Sequence, residues 1–174
     1  GDQVNGADFP CIDMSTICTS FITAIDYASL LLSNDEYTNI AIVSSEISSK
    51  NLNPDDKESY GLFGDGAAAI VISKTSENAG LIKYNSKTYP DGVKYTIIEG
   101  GGHINHPSEV SYNRELYSFK MHGKKLLKEA KSILPSFLSN FYNPLNISLK
   151  DIDLIVPHQT SKLGFRMLKS LNNG

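Results

Sequence analysis

The sequence has no tryptophan, and its only cysteines are Cys11 and Cys18. Two thiols in 174 residues are too few for a secreted disulfide scaffold. Nor do they suit a bridge to each other. Seven extended residues span roughly 20 Å, whereas bridged Cα atoms lie within about 7 Å, and no turn signal separates the pair. A basic excess is also missing. Sixteen Lys and Arg face nineteen Asp and Glu, for a net charge of −3. The signs are mixed along the chain, leaving no basic stripe for nucleic acid and no polybasic patch for a membrane. No apolar run approaches the roughly 20 residues of a spanning helix. The opening Gly1-Asp2-Gln3-Val4-Asn5-Gly6 is polar, unlike a signal peptide. It also lacks an initiator methionine, so the numbering is expected to start inside a longer protein. What remains is 40% apolar content, enough for one globular domain, with a soluble cytoplasmic setting as the expectation.

The chain is organised around residues 9–32. A strand-like run through Cys11, Ile12 and Met14 passes the small polar pair Ser15 and Thr16. The spacing then changes: Phe21, Ile25, Ala28 and Leu32 form one stripe of a helix. Ile22 and Leu30 lie off that stripe, the pattern of a helix sandwiched between layers. Cys18 sits on the junction, expected in the first helical turn among unpaired N–H groups and the positive dipole end. That setting favours thiolate, the nucleophilic form, and the same N–H groups could hold an oxyanion. A free cysteine also serves as a small buried hydrophobe, so the junction alone leaves both roles open.

Asn39 to Ser45 reads as a strand buried on both faces, in the manner of α/β sheets. A polar connection containing the turn cluster Asn53-Pro54-Asp55-Asp56 ends in a tight Gly64-Asp65-Gly66 turn feeding a strand of small then β-branched residues that ends at Ser73. Dinucleotide glycines open a helix after a strand, whereas these precede a strand, so a phosphate loop is not indicated. Ala67-Ala68-Ala69 suggests instead close approach by a helix. Further strands are expected at 80–85 and 93–99 around a Pro90-Asp91-Gly92 turn. Gly100-Gly101-Gly102 opens a mobile loop in which His103 and His106 lack the companions of a metal site; no metal and no cofactor are expected. A long amphipathic helix from Phe119 carries Leu127, Ala130, Leu134, Leu138 and Phe141 on one face and lysines on the other, with a kink at Pro135. A strand over 152–157 precedes His158-Gln159-Thr160-Ser161 and a last helix from Ser161 to Leu171.

His158 therefore lies at a strand end before a helix, where α/β sheets place catalytic groups, at a position equivalent to that of Cys18. A Cys–His pair by itself fits a cysteine protease as well as an acyl transferase.

Four longer words decide between them. Ile12-Asp-Met-Ser-Thr-Ile-Cys-Thr-Ser-Phe21, Leu62-Phe-Gly-Asp-Gly-Ala-Ala-Ala69, Phe119-Lys-Met-His-Gly-Lys124 and Asp151-Ile-Asp-Leu-Ile-Val-Pro-His-Gln159 occur in this order. Together they resemble the β-ketoacyl-ACP synthase III group of the thiolase superfamily, over nearly the whole chain. The resemblance implies an αβαβα layered α/β fold of two similar halves, here incomplete: residues 1–115 as part of the first half and 116–174 as the start of the second. It implies decarboxylative condensation of an acyl-CoA with malonyl-ACP in fatty acid biosynthesis, usually by a homodimer. Cys18 would be the acylated nucleophile. His158 would hydrogen-bond the malonyl thioester oxygen as enolate charge develops.

Departures accompany the match. The family's catalytic Asn and a late oxyanion glycine segment are expected beyond Gly174, so the chain alone is expected to have little or no condensing activity. An arginine that follows the His-Gln pair in the family has Lys162 or Arg166 as its substitute here, for ACP or CoA. His122 replaces an acidic residue. Related condensing enzymes making pyrones, resorcinols or quinolones, and a non-catalytic partner subunit, are the alternatives. Open sheet edges and uncovered apolar faces are expected to invite self-association.

Overall fold

The computed structural model describes residues 9–159 and 162–172. The chain divides into two compact units. One runs to Ser45 and resumes over Ala67–Tyr84; the other takes Glu46–Gly66 and the chain from Asn85 onward.

In the first unit, a single 3-10 turn over Ile17–Thr19 leads into α1, Ser20–Ser33. The predicted stripe is the covered one: Ala28 and Leu32 are buried, and Phe21 and Ile25 are half-buried. Ile22 and Leu30 are more than half exposed, so the expected second covering layer is absent among the described residues. The helix ends at Asn34, whose N–H reaches the Leu31 carbonyl at 3.2 Å. Asp35 follows in a left-handed conformation and pairs with Lys74. β1, Asn39–Glu46, and β2, Gly66–Ser73, form a two-stranded sheet. Ser73 Oγ donates to Asn39 Oδ1 at 2.6 Å where the ladder ends. Successive strand side chains face opposite sides. Ile42 is buried while Val43 is 71% exposed, so β1 is covered on one face rather than both. Ala67, Ala68 and Ala69 are exposed, and no helix presses on them among the described residues. The run over 10–15 forms no ladder, and Ile12 within it is exposed.

In the second unit, β3 (Thr96–Ile97) pairs antiparallel with β4 (Lys120–Met121), Thr96 opposite Met121 and Ile97 opposite Lys120. Between them lies α2, a single turn over Arg114–Tyr117, capped by Asn113, whose side chain accepts the Glu115 N–H at 2.9 Å. α3, Gly123–Tyr142, starts four residues after its predicted beginning. The reason is that the Phe119 and His122 N–H groups are engaged elsewhere, with the Asn51 and Tyr95 carbonyls, each at 2.8 Å. Its apolar stripe is the predicted one, half-buried from Leu127 to Phe141, with Lys124, Lys125, Lys128 and Lys131 exposed. The helix continues through Pro135. α4, Lys162–Asn172, contacts α3.

Three predicted strands differ from expectation. Residues 80–85 and 152–157 form no ladder, and 93–99 contributes two residues. A strand requires a partner for its N–H and C=O groups, and none flanks 80–85 or 152–157 among the described residues. Leu154 and Val156, each 77% exposed, show what that leaves. The glycine loop is more ordered than expected. Gly101 N–H meets the Asn105 carbonyl at 3.0 Å, and Asn105 Nδ2 donates to the Glu99 carbonyl at 2.5 Å.

Among the described residues no helix is long and apolar enough to cross a membrane.

Candidate active site

Cys18 is exposed and free, in the middle of the 3-10 turn that precedes α1. The helix proper therefore starts two residues later than predicted. The cause is the preceding residue. Ile17 has φ of 54°, in the left-handed region, which costs an L-residue roughly 1–2 kcal/mol and is an outlier for a β-branched side chain. Such a backbone persists only when its surroundings hold it, and here hydroxyl groups do so.

Ser20 Oγ donates to the Ile17 carbonyl at 2.7 Å and accepts the Thr16 N–H at 2.9 Å. Thr19 Oγ1 donates to the Thr16 carbonyl at 2.7 Å, and the Thr19 N–H reaches the same oxygen at 3.2 Å. One turn along, Thr23 Oγ1 donates to the Thr19 carbonyl at 2.9 Å and lies 3.1 Å from Tyr84 Oη. Four hydroxyl side chains thus fix a sharp bend with the thiol at its crest. Sequence reasoning placed the thiol at the junction but missed Ile17 and these braces. The density of Ser and Thr from Ser15 to Thr23 was the available signal, since such side chains bond locally to backbone.

His158 is exposed in the second unit, after the unpaired run 152–157. Thr160 and Ser161, part of the predicted His-Gln word and helix start, lie outside the described residues. Lys162 and Arg166 are both exposed on α4, and an i, i+4 separation puts them on one face. Cys18 belongs to one unit and His158, Lys162 and Arg166 to the other. Of these, Lys162 and Arg166 share α4, and His158 precedes that helix in the chain.

Other candidates have structural employment. Asp65 of the Gly-Asp-Gly turn accepts the Ser49 N–H at 2.9 Å and the Ser49 hydroxyl at 2.7 Å. These bonds, with a smaller contribution from Lys50, hold its carboxyl below the usual carboxylate range. The turn is a clasp on its own chain, in keeping with a non-phosphate role. His106 Nδ1 lies 2.6 Å from Ser108 Oγ and accepts the Ser108 N–H at 3.2 Å. Among the described residues no three His, Cys, Asp or Glu side chains gather as metal ligands.

The family model for 3-oxoacyl-[acyl-carrier-protein (ACP)] synthase III matches residues 12–90, the segment that contains the Cys18 bend. A β-ketoacyl-[acyl-carrier-protein] synthase III of Clostridium perfringens is 33% identical over 165 residues, covering 92% of this chain and 49% of the relative. Over that length the chain is similar to β-ketoacyl-ACP synthase III. A synthase III of the same name from Syntrophomonas wolfei is 26% identical, with 92% and 48% covered. A crystal structure of a 3-oxoacyl-(acyl-carrier-protein) synthase III superimposes with a TM-score of 0.77 at 20% identity, covering 90% of this chain and 49% of that one. The Pseudomonas aeruginosa PAO1 structure gives 0.74 at 19%, with 89% and 47% covered. The fold is therefore the thiolase-like α/β fold of these synthases, in part: the chain spans about half the length of the relatives it matches.

Proposed function

We propose that Cys18 is the acyl-carrying nucleophile of a β-ketoacyl-ACP synthase III-type condensation. The observation that supports it most is the hydroxyl-braced, left-handed bend at Ile17, which leaves the Cys18 thiol exposed at the head of α1 within the matched segment. In the first half-reaction the Cys18 thiolate attacks the thioester carbonyl of an acyl-CoA. The tetrahedral oxyanion collapses, CoA leaves as its thiolate, and the acyl group remains on sulfur. In the second, malonyl-ACP loses CO₂, and the resulting enolate attacks the acyl-cysteine carbonyl and expels the Cys18 thiolate. The electron pair released by decarboxylation becomes the new carbon–carbon bond.

His158 has the role of donating a hydrogen bond to the malonyl thioester oxygen as the enolate forms, which stabilises charge where it develops. Lys162 and Arg166, on one face of α4, are the groups for the acidic carrier or the CoA phosphates. Residues 1–115 and 116–174 belong in this reading to the first and second halves of the thiolase architecture. The working protein is a cytoplasmic homodimer in fatty acid synthesis, with no resident cofactor. The chain alone has little or no condensing activity, because the catalytic asparagine implied by the resemblance is not among its matched words.

The test is acyl transfer. The chain is incubated with radiolabelled acyl-CoA, digested and mapped by mass spectrometry. Label on Cys18, retained in a Cys11→Ser variant and lost in Cys18→Ser, supports the assignment. Since both thiols are exposed, equal label on Cys11 would mark chemical acylation and sink it. A folded protein with no labelled cysteine would point to a non-catalytic partner subunit.

A further inference from the structure

A cleft of about 420 Å³ lies wholly inside the second unit, between the segment around Lys50 and the one around α2. Acids outnumber bases in this chain, yet the cleft is lined by Lys50 and Arg114 and by no carboxylate among the described residues. The nearby Asp65 carboxylate already accepts from the Ser49 N–H and hydroxyl. Arg114 has no ion pair among the described residues, so its guanidinium is available for a planar, bidentate anion.

The other wall is aromatic. Tyr112 and Tyr117 stack with ring centroids 5.7 Å apart and planes 16° from parallel. Tyr117 is seated from behind: a Cβ on Gly100 would stand 2.5 Å from its Cδ1, and its hydroxyl reaches the Asn105 carbonyl at 3.4 Å. Tyr112, 78% exposed, therefore offers an outer ring face on a fixed support. The two walls are tied by the Phe119 N–H to the Asn51 carbonyl at 2.8 Å.

We propose that this cleft binds a nucleotide, its base stacked on Tyr112 and its phosphates held by Arg114 and Lys50. Stacking on an aromatic face tolerates any base, and the two cations read phosphate rather than the sugar. The site does not depend on the thioester chemistry assigned to Cys18.

Calorimetric titration of the full chain with ADP tests this, with far-UV circular dichroism to show that each variant is folded. Saturable binding is expected, weakened at least about tenfold by Arg114→Ala and by Lys50→Ala. Tyr112→Ala is expected to weaken ADP while leaving inorganic pyrophosphate unaffected. Competition by CoA would identify its nucleotide end as a ligand, and indifference to CoA would identify a free nucleotide; either supports the site. Absence of ADP binding at millimolar concentration, or an affinity unchanged in both cation variants, overturns it. Acylation of Cys18 is measured alongside in Arg114→Ala, where an unchanged rate shows the two sites to be separable.

Discussion

Ser20 Oγ donates to the carbonyl of Ile17 at 2.7 Å, and so closes the bend that carries Cys18. A β-branched residue is held at positive φ by the hydroxyl three positions later. The bend is thus an energetic liability with a local restraint, and its two parts are separable by mutation.

Ile17→Gly removes the left-handed penalty. The Ile17 side chain is 82% exposed, so little packing is lost. Glycine adds unfolded-state freedom worth roughly 0.5–1 kcal/mol against a relief of roughly 1–2 kcal/mol. Urea denaturation should show a net gain of about 0.5–1 kcal/mol, while acyl transfer to Cys18 is retained because the hydroxyl braces remain and glycine adopts the left-handed bend freely. A lower midpoint would mean that the bend is not strained.

Much of this was legible from residue order. α1, β1 and β2 appear at or within a residue or two of their predicted bounds, because each is a long periodic or continuous apolar run. The face of α3 was readable for the same reason. The start of α3 was not, since Phe119 and His122 are committed to carbonyls dozens of residues away. No local pattern encodes such a bond. The runs 80–85 and 152–157 have strand composition without a ladder, and composition does not specify a partner. At the candidate site, Cys18 stood out by its position between two periodicities. The conformation of Ile17, set by hydroxyls around it, did not.

Ser59 is fully buried and its hydroxyl donates to Asp56 Oδ2 at 2.7 Å. That bond, with smaller help from the Glu58 and Ser59 N–H groups, holds the Asp56 carboxyl below its ordinary 3.8. A depressed folded value means the unfolded state binds the proton more readily. The contribution of Asp56 is therefore present above about pH 4 and is lost as pH falls through its folded value. Urea midpoints measured from pH 6 to pH 2.5 should fall less steeply below pH 4 in Asp56→Asn than in the parent.

Gly100→Ala should be costly for a steric reason. The added methyl would stand 2.5 Å from the Tyr117 ring, and overpacking of this kind costs typically about 1–3 kcal/mol. The ring must move, and with it the support for Tyr112. Chemical denaturation, together with a rise in tyrosine accessibility to iodination, checks this.

Leu154 and Val156 stand exposed in an unpaired run, a template for association with other chains. The Leu154→Ser, Val156→Ser double variant should alter stability by no more than about 0.5 kcal/mol per site. Light scattering should show fewer oligomers at equal concentration. An unchanged size distribution would mean that other surfaces drive association.

The two units are interleaved along the chain, with crossings after Ser45, Gly66 and Tyr84. Neither is a continuous stretch of gene, so truncation at any one border severs a unit. A protease nick within 46–66 would have the opposite effect: both products retain a strand of the β1–β2 pair, and they should stay associated under native conditions. The polypeptide is thus poorly suited to dissection into domains and well suited to split-fragment reassembly at that loop.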